Sequence, residues 1–539
     1  MREVIMHRLP FFATYRWKLY LSLAIAFLGD YLFYHNALFG GHLGLFAFAL
    51  LLCLMVGRPN ILRRWEGRLA AISAGIFGCA LIVDPGILSW TMFWIAISLA
   101  ALFGMTMQYD DGWLWFQRLL LHALRSPVAP FMDFSKVRRA ARRVRRRCFS
   151  LRAILRVIGL PLLGGAIILT LFATANPIIA RVLAMIEWPD LSAITPWRMI
   201  LWLMFFVLGW SVLRPRVAKR LIPTFDGRGD LDLPGVSVAS VMLSLLLFNA
   251  MFAVENALDV AYLSRALLLP TGMSMTEYVH RGAYPLIVTA LLAGLFVLIT
   301  LRPGSSTAAV PMIRWLVVLW IVQNIMLVTS SVQRTLEYIE ASMLTTLRIQ
   351  ALAWMALVAA GLVLICWRML RGKSSSWLIN TNVGAAAAVL TLFCFIDAGE
   401  IAARWNVRHA REITGSGPSV DLCYLNRLGP SALLPLIALE SQTSDPSFRD
   451  RVQAIRTGIY NGMVNDVRQG GWTWRNERRL QAADAMLKGT KPVRPDSFLR
   501  NCDGSREQPQ SDVSAKAVPA NPALQPFARP DPLTRKDEQ

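Results

Sequence analysis

Long apolar runs separated by short, arginine-rich gaps constrain this chain more than any other feature. The runs reach about twenty residues, the length a helix needs to cross a hydrocarbon core roughly 30 Å thick. The segment LFAFALLLCLMVG (Leu45–Gly57) shows the pattern: it carries no charge and does not alternate. Without alternation it cannot be a barrel strand, whose residues face lipid and lumen in turn. A helix remains, because it satisfies every backbone hydrogen bond within itself. Composition agrees, since only 17% of the 539 residues are charged against roughly a quarter in soluble domains. The expected fold class is therefore all-α, a polytopic membrane protein of about eleven transmembrane helices. They are expected near 18–35, 37–56, 67–84, 88–107, 153–175, 196–213, 236–254, 284–301, 313–330, 350–368 and 378–397. The first is not a cleaved signal peptide, because its exit GDYLFYHN lacks a small-residue cleavage site and a second run follows at once.

The gaps set orientation, because lysine and arginine accumulate on the cytoplasmic side. With the N-terminus inside, thirty basic residues fall in cytoplasmic segments or at their span ends, and six fall outside. The C-terminus is then periplasmic. The segment RRAARRVRRR places Arg138, Arg139, Arg142, Arg143, Arg145, Arg146 and Arg147 in the long loop after the fourth span. Nucleic acid must diffuse to such a run, whereas the anionic leaflet is tethered beside it, and each basic residue there contributes about 1 kcal/mol. The expected partner is the bilayer with its anionic headgroups, and not nucleic acid. In the same loop Trp113, Phe116, Leu120 and Ala123 keep helical spacing, as in a helix lying in the membrane interface.

These features divide the chain into a four-span front (1–109), a cytoplasmic loop (110–152), a seven-span core (153–398), a periplasmic helical region (399–502) and a disordered tail (503–539). Helices are expected in the periplasmic region at Asp421–Arg427, Ser431–Glu440, Asp445–Gln469 and Trp474–Leu487. Pro430 and Pro446 stand where proline opens a helix. The last residues are rich in Pro, Ser and Gln, a composition that buries too little apolar surface to fold.

The candidate polar sites sit at span ends. In SVQRTLEYIEASMLTTLR, Arg334, Tyr338, Ala341, Thr345 and Arg348 recur every three or four residues, one stripe on a continuous helix, with Glu337 and Glu340 beside it. Arg334 and Glu337 are spaced as an i,i+3 ion pair. Glu277, Tyr278 and Arg281 are expected across the same outer surface. Such a cluster is either a polar cavity for an anionic or zwitterionic headgroup or for protons, or a salt-bridged cap on the spans; the cap is the simpler reading. Glu255 and Asp259 read as solvated acids on a helix leaving the membrane, and Asn249 and Asn256 as polar packing groups between helices. Asp30, His35 and His42 lack the tight spacing of a metal site, so no metal is expected. Cys423 and Cys502 both fall outside, where a disulfide can persist.

From about 233 to 490 the chain resembles a bacterial inner-membrane family known as domain of unknown function 4173. The segments that carry the likeness are TEYVHRGAYPLIVTALL (Thr276–Leu292), SVQRTLEYIEASMLTTLRIQALAWM (Ser331–Met355), IAARWNVRHA (Ile401–Ala410), DLCYLNRLGPSALLPL (Asp421–Leu436) and WRNERR (Trp474–Arg479). The resemblance implies a bacterial cytoplasmic membrane location and supplies no activity. The front four spans look like a variable addition to it.

Phosphate-binding loops, dinucleotide glycine fingerprints, nucleophile elbows and zinc-protease helices are all missing from the sequence. No catalytic residue and no cofactor is expected. The functional expectation is a non-catalytic envelope sensor or assembly scaffold that presents its periplasmic region to an envelope protein partner. The alternative is a transporter or lipid-handling protein using the outer polar cluster, with a membrane-embedded headgroup transferase third.

Overall fold

A computed structural model describes residues 9–34, 40–103, 111–144, 195–217, 221–223, 237–264, 304–488 and 500–506, most positions between 161 and 174, and 36, 105, 109, 292 and 295–296. The described elements are helices, apart from one isolated bridge between Arg500 and Arg506. Among the described residues, seven segments are long and apolar enough, by length and composition, to cross a membrane. Six of them, α3 (Trp65–Val83), α7 (Pro196–Leu213), α8 (Val238–Leu263), α9 (Pro311–Ser342), α10 (Thr346–Arg371) and α11 (Ser375–Phe395), coincide with expected spans. The runs at α1 (Leu9–Phe33), α2 (His42–Gly57) and α4 (Ile87–Phe103) are also helical, the last two shorter than the rest. The expected spans near 153–175 and 284–301 lie mostly outside the described residues.

The seventh apolar segment, Leu422–Gln442, is not one rod. It breaks into α13 (Leu422–Leu428), a 3-10 turn at Gly429–Ala432 and α14 (Leu433–Gln442). Gly429 adopts φ 57°, a left-handed conformation that glycine takes without a steric penalty. Pro430 then starts the next turn. Its apolar residues form the centre of the C-terminal domain instead, with Leu425, Leu433, Leu436 and Leu439 fully buried.

Helices α1, α2, α3, α4 and α7 share one core built around Phe46, Leu50, Phe93, Ile97, Phe205 and Leu213. Apolar contact between helices gives little net gain in lipid, so close backbone approach decides the packing. Small residues supply it here: Ala70, Ala74, Ala80, Ala96 and Ala100 line the interfaces. A Cβ at Gly44 would meet the Gly78 carbonyl oxygen at 2.8 Å. Helices α8, α9 and α10 form a second core around Leu245, Ile313, Val317 and Trp320. The surfaces of α10 and α11 are largely open, with 11% of each apolar window buried.

One end of the bundle is basic and self-capped. Lys18 Nζ donates to the Leu213 carbonyl that ends α7 (3.1 Å), and an Arg58 guanidinium N–H to the Ala101 carbonyl near the end of α4 (2.9 Å). Both satisfy carbonyls that have no partner within their helix. At this end the loop helices α5 (Gly112–Arg125) and α6 (Ala129–Val144) pack beside α11 and α7. Asp111 caps α5 by accepting from Leu114 N (2.9 Å). The outward face of α5 is Phe116, Leu120 and Leu124, while Trp115 is buried between Phe103 and Tyr109. Asp133 of α6 anchors the loop, accepting from Arg216 (2.8 Å) and Trp210 Nε1 (3.3 Å). Arg138, Arg139, Arg142 and Arg143 continue α6, with Arg139 exposed. Arg145, Arg146 and Arg147 lie outside the described residues.

The C-terminal domain stands at the other end. It comprises α12 (Ala398–Arg408), α13, α14, α15 (Pro446–Arg468) and α16 (Trp474–Met486). Caps mark its helix starts: Asp397, Asp421, Asp445 and Thr473 each accept from a backbone N–H of the first turn. A strap at 500–506 closes it, through the Cys423–Cys502 disulfide, Arg500 on Asp450 (2.7 Å) and Arg451 on Asp503 (2.5 Å). The strap thus extends past Cys502 to Arg506, four residues into the stretch expected to be disordered; 507–539 lies outside the described residues.

Candidate functional site

Two constellations of buried polar groups stand out. The first runs between α8 and α9. Asn249 Nδ2 donates to the Leu316 carbonyl (3.0 Å), and Asn256 Nδ2 to the Gln323 carbonyl (3.2 Å). Both contacts join residues 67 apart, so the two helices run parallel in a fixed register. Gln323 Nε2 donates to Asn249 Oδ1 (3.2 Å), and one turn beyond Asn256 lies Asp259. Ser330 Oγ donates to Asp259 Oδ2 (2.5 Å), and the Arg334 guanidinium pairs with Asp259 Oδ1. Asp259 and Arg334 are 4% and 7% exposed, so the pair is shielded from water on nearly all sides.

This geometry corrects three expectations. Asp259 is not a solvated acid: it is buried against α9, whereas Glu255, one turn earlier, is exposed. Arg334 takes Asp259 as its ion-pair partner and not Glu337, which together with Glu255 adds a more distant negative field. The reason is contact: facing helices bring Asp259 directly against the guanidinium, while Glu337 points to a half-exposed position. The stripe is not continuous either. Helix α9 ends at Ser342, Met343 turns left-handed (φ 68°), and Thr345 caps α10 by accepting from Arg348 N. Arg348 accordingly folds back, donating to the Ser342 carbonyl (2.8 Å) with its guanidinium 3.9 Å above the Tyr338 ring. Glu340 is exposed and apart from the pair. Glu277, Tyr278 and Arg281 lie outside the described residues.

The second constellation fastens the C-terminal domain to the bundle. Asp397, just past the end of α11, accepts from Arg479, from Ser431 Oγ (2.9 Å) and from Glu400 N (3.0 Å). Arg479 also reaches Glu400 (3.0 Å). Burial pushes the Asp397 carboxyl up, but the Arg479 charge and these hydrogen bonds outweigh it and hold it below the usual range. Arg475 bridges Asp84 (2.5 Å) and the Phe395 carbonyl (2.6 Å), tying α16 to the ends of α3 and α11. Asn406 pairs both ways with the Leu344 backbone (2.7 and 2.9 Å), and the Tyr424 hydroxyl accepts from Thr346 N (2.8 Å). Met343 inserts into the domain's own core, and Gly41 N donates to the Trp472 carbonyl (2.6 Å). The helices here are legible in the sequence but the clamp is not, because its members come from six separate segments. The one legible signal was the charge of WRNERR, which supplies Arg475 and Arg479.

Asp30 is another buried acid, bound by Arg198 through two contacts (2.8 and 2.6 Å) with Tyr34 stacked on the guanidinium. Its charge is thereby met by an arginine. His35 lies outside the described residues, and among those described no group of His, Cys, Asp or Glu is arranged to hold a metal.

In comparison with known proteins, the model of a family described as Domain of unknown function (DUF4153) matches residues 45–439. This replaces the likeness to family 4173. The match begins at residue 45, so most of the front belongs to the family and is not a variable addition. No curated protein and no solved structure matches the chain.

Proposed function

We propose, from the premise that this chain belongs to the DUF4153 family, that it is a multi-pass scaffold of the bacterial inner membrane. Its C-terminal domain would be held in the periplasm as a fixed platform for an envelope protein partner. The clamp carries this reading. It engages the turns near Gly41, Asp84, Leu344 and Phe395, all of them loops or span ends expected on the outer side. The basic caps and the arginine-bearing α6 lie at the opposite end, which supports a cytoplasmic position against anionic headgroups. A domain fastened at so many points is suited to presenting a rigid surface rather than swinging on a linker.

The buried column between α8 and α9 favours a second reading, solute or lipid handling, because ionisable groups inside a membrane mark functional sites by default. Yet Asp259 accepts from Ser330 and pairs with Arg334 across the two helices, as a structural fastening would.

Reporter fusions at Gly372 and after Gln539 test the orientation. Phosphatase should be active only at the second, and activity at the first alone reverses the reading. Purified protein in liposomes tests the role. Gradient-driven flux of protons or ions that disappears in Asp259→Asn would overturn the scaffold reading in favour of transport.

A further inference from the structure

A cleft of about 350 Å³ opens on the C-terminal domain between α12, α14 and α16, outside both constellations above. Its floor is apolar, with Val407, Leu434, Pro435 and Ala438 in the lining and Met486 half exposed beside them. Its rim is cationic: the exposed Arg404 and Arg408 stand one turn apart on α12, and exposed Gln442 of α14 joins the lining. Arg404 shares its charge with Glu400 (2.5 Å), and Arg408 is exposed. The volume lies at the lower end of small-molecule sites.

We propose that this cleft binds one anionic phospholipid drawn from the adjoining leaflet, with the headgroup phosphate on Arg408 and Arg404 and an acyl chain along the floor. Two observations select that occupant. The rim charges match a phosphate, which arginine binds through paired N–H donors. And α12 begins three residues after α11 ends at Phe395, so Arg408 lies roughly 15 Å along its helix from the end of that apolar segment. This last step rests on the reading that α11 spans the bilayer.

The test uses the full chain in phosphatidylcholine nanodiscs doped with phosphatidylglycerol that carries a photoactivatable acyl chain. Adducts are mapped by mass spectrometry. Label is expected on the peptides of α14 and α16 as well as on the spans. Arg408→Glu should reduce the α14 and α16 label about tenfold, the change that a loss of about 1.4 kcal/mol gives. Ala438→Trp, which fills the floor, should do the same, and label on the spans should stay constant in both. A thermal unfolding curve of Arg408→Glu matching the parent shows that the exposed substitution leaves the fold intact. Label confined to the spans, or α14 label unchanged in both variants, overturns the proposal. Equal α14 label from a phosphatidylcholine probe overturns the anionic headgroup. A nanodisc presents lipid at both faces, so these outcomes do not depend on which side of the membrane the domain occupies.

Discussion

Arg479→Ala tests the clamp most directly. Arg479 is 7% exposed on its side chain and bonds Asp397 and Glu400, which are 15% and 23% exposed. Removing one partner of a buried pair costs about 3–5 kcal/mol, because the other charge stays buried without compensation. Here the loss is smaller, since Asp397 keeps Ser431 Oγ and the Glu400 N–H. Glu400 also keeps Arg404. About 2–4 kcal/mol is expected, against about 1 kcal/mol for the more exposed Arg451–Asp503 pair, at 33% on each side chain. The assay is thermal unfolding of the purified protein, followed by tryptophan fluorescence; Trp472 sits at the domain's contact with the bundle, beside Gly41. Limited proteolysis at 10–20 °C below the midpoint of the parent, a range chosen roughly from the shift such a loss gives, should release the domain sooner in the variant. The pH dependence follows from the same geometry. The Asp397 pKa is lowered on folding, so its contribution is present above the unfolded value of about 3.9 and is lost as pH falls through the lower folded value. Arg479→Ala should therefore lose its effect in strong acid. An Arg479→Ala cost no greater than that of Arg451→Ala would refute the reasoning.

Replacing Cys423 and Cys502 by serine opens a loop of 79 residues, worth about 4 kcal/mol by chain entropy, and Arg500–Asp450 and Arg451–Asp503 should hold back part of that loss. Chemical unfolding with and without reductant measures it, and equal midpoints would count against the strap. His122, buried on α5, has its pKa lowered to about 4 by desolvation. Its contribution is then complete above the unfolded value of about 6.5 and is lost as pH falls from there toward 4. His122→Gln should flatten the midpoint of thermal unfolding over that window. Replacing Arg142, Arg143, Arg145, Arg146 and Arg147 by glutamine should weaken sedimentation of a loop peptide with anionic vesicles, at about 1 kcal/mol per residue, and make it less salt-sensitive.

Much of the architecture is legible one segment at a time. The apolar runs at Pro196–Leu213, Thr346–Arg371 and Ser375–Phe395 are helices where twenty-residue hydrophobicity demands them, because the need to bond every backbone group acts locally. The helices of the C-terminal domain begin at Asp421, Asp445 and Thr473 for an equally local reason: a side-chain oxygen meets an N–H two or three residues away. Cys423 and Cys502 are pairable by compartment alone, and the structure brings them together. Hydropathy does not separate the Leu422–Gln442 run from a span, since a buried soluble core and a lipid-facing helix make the same demand on composition.

The partners of the charged groups were decided only in three dimensions. Nearest-neighbour spacing assigns Arg334 to Glu337, but the chain bonds it to Asp259, 75 positions earlier, because α8 and α9 lie parallel and dry between them. Asp397, Arg475 and Arg479 read as surface charges until α16 folds back onto the ends of α3 and α11. Met343 gives no sign in sequence that it ends a helix and fills a core. Local rules act over a few residues and can be read from the string. A buried charge takes whichever partner reaches it in a place without water, and that is fixed by how the helices pack.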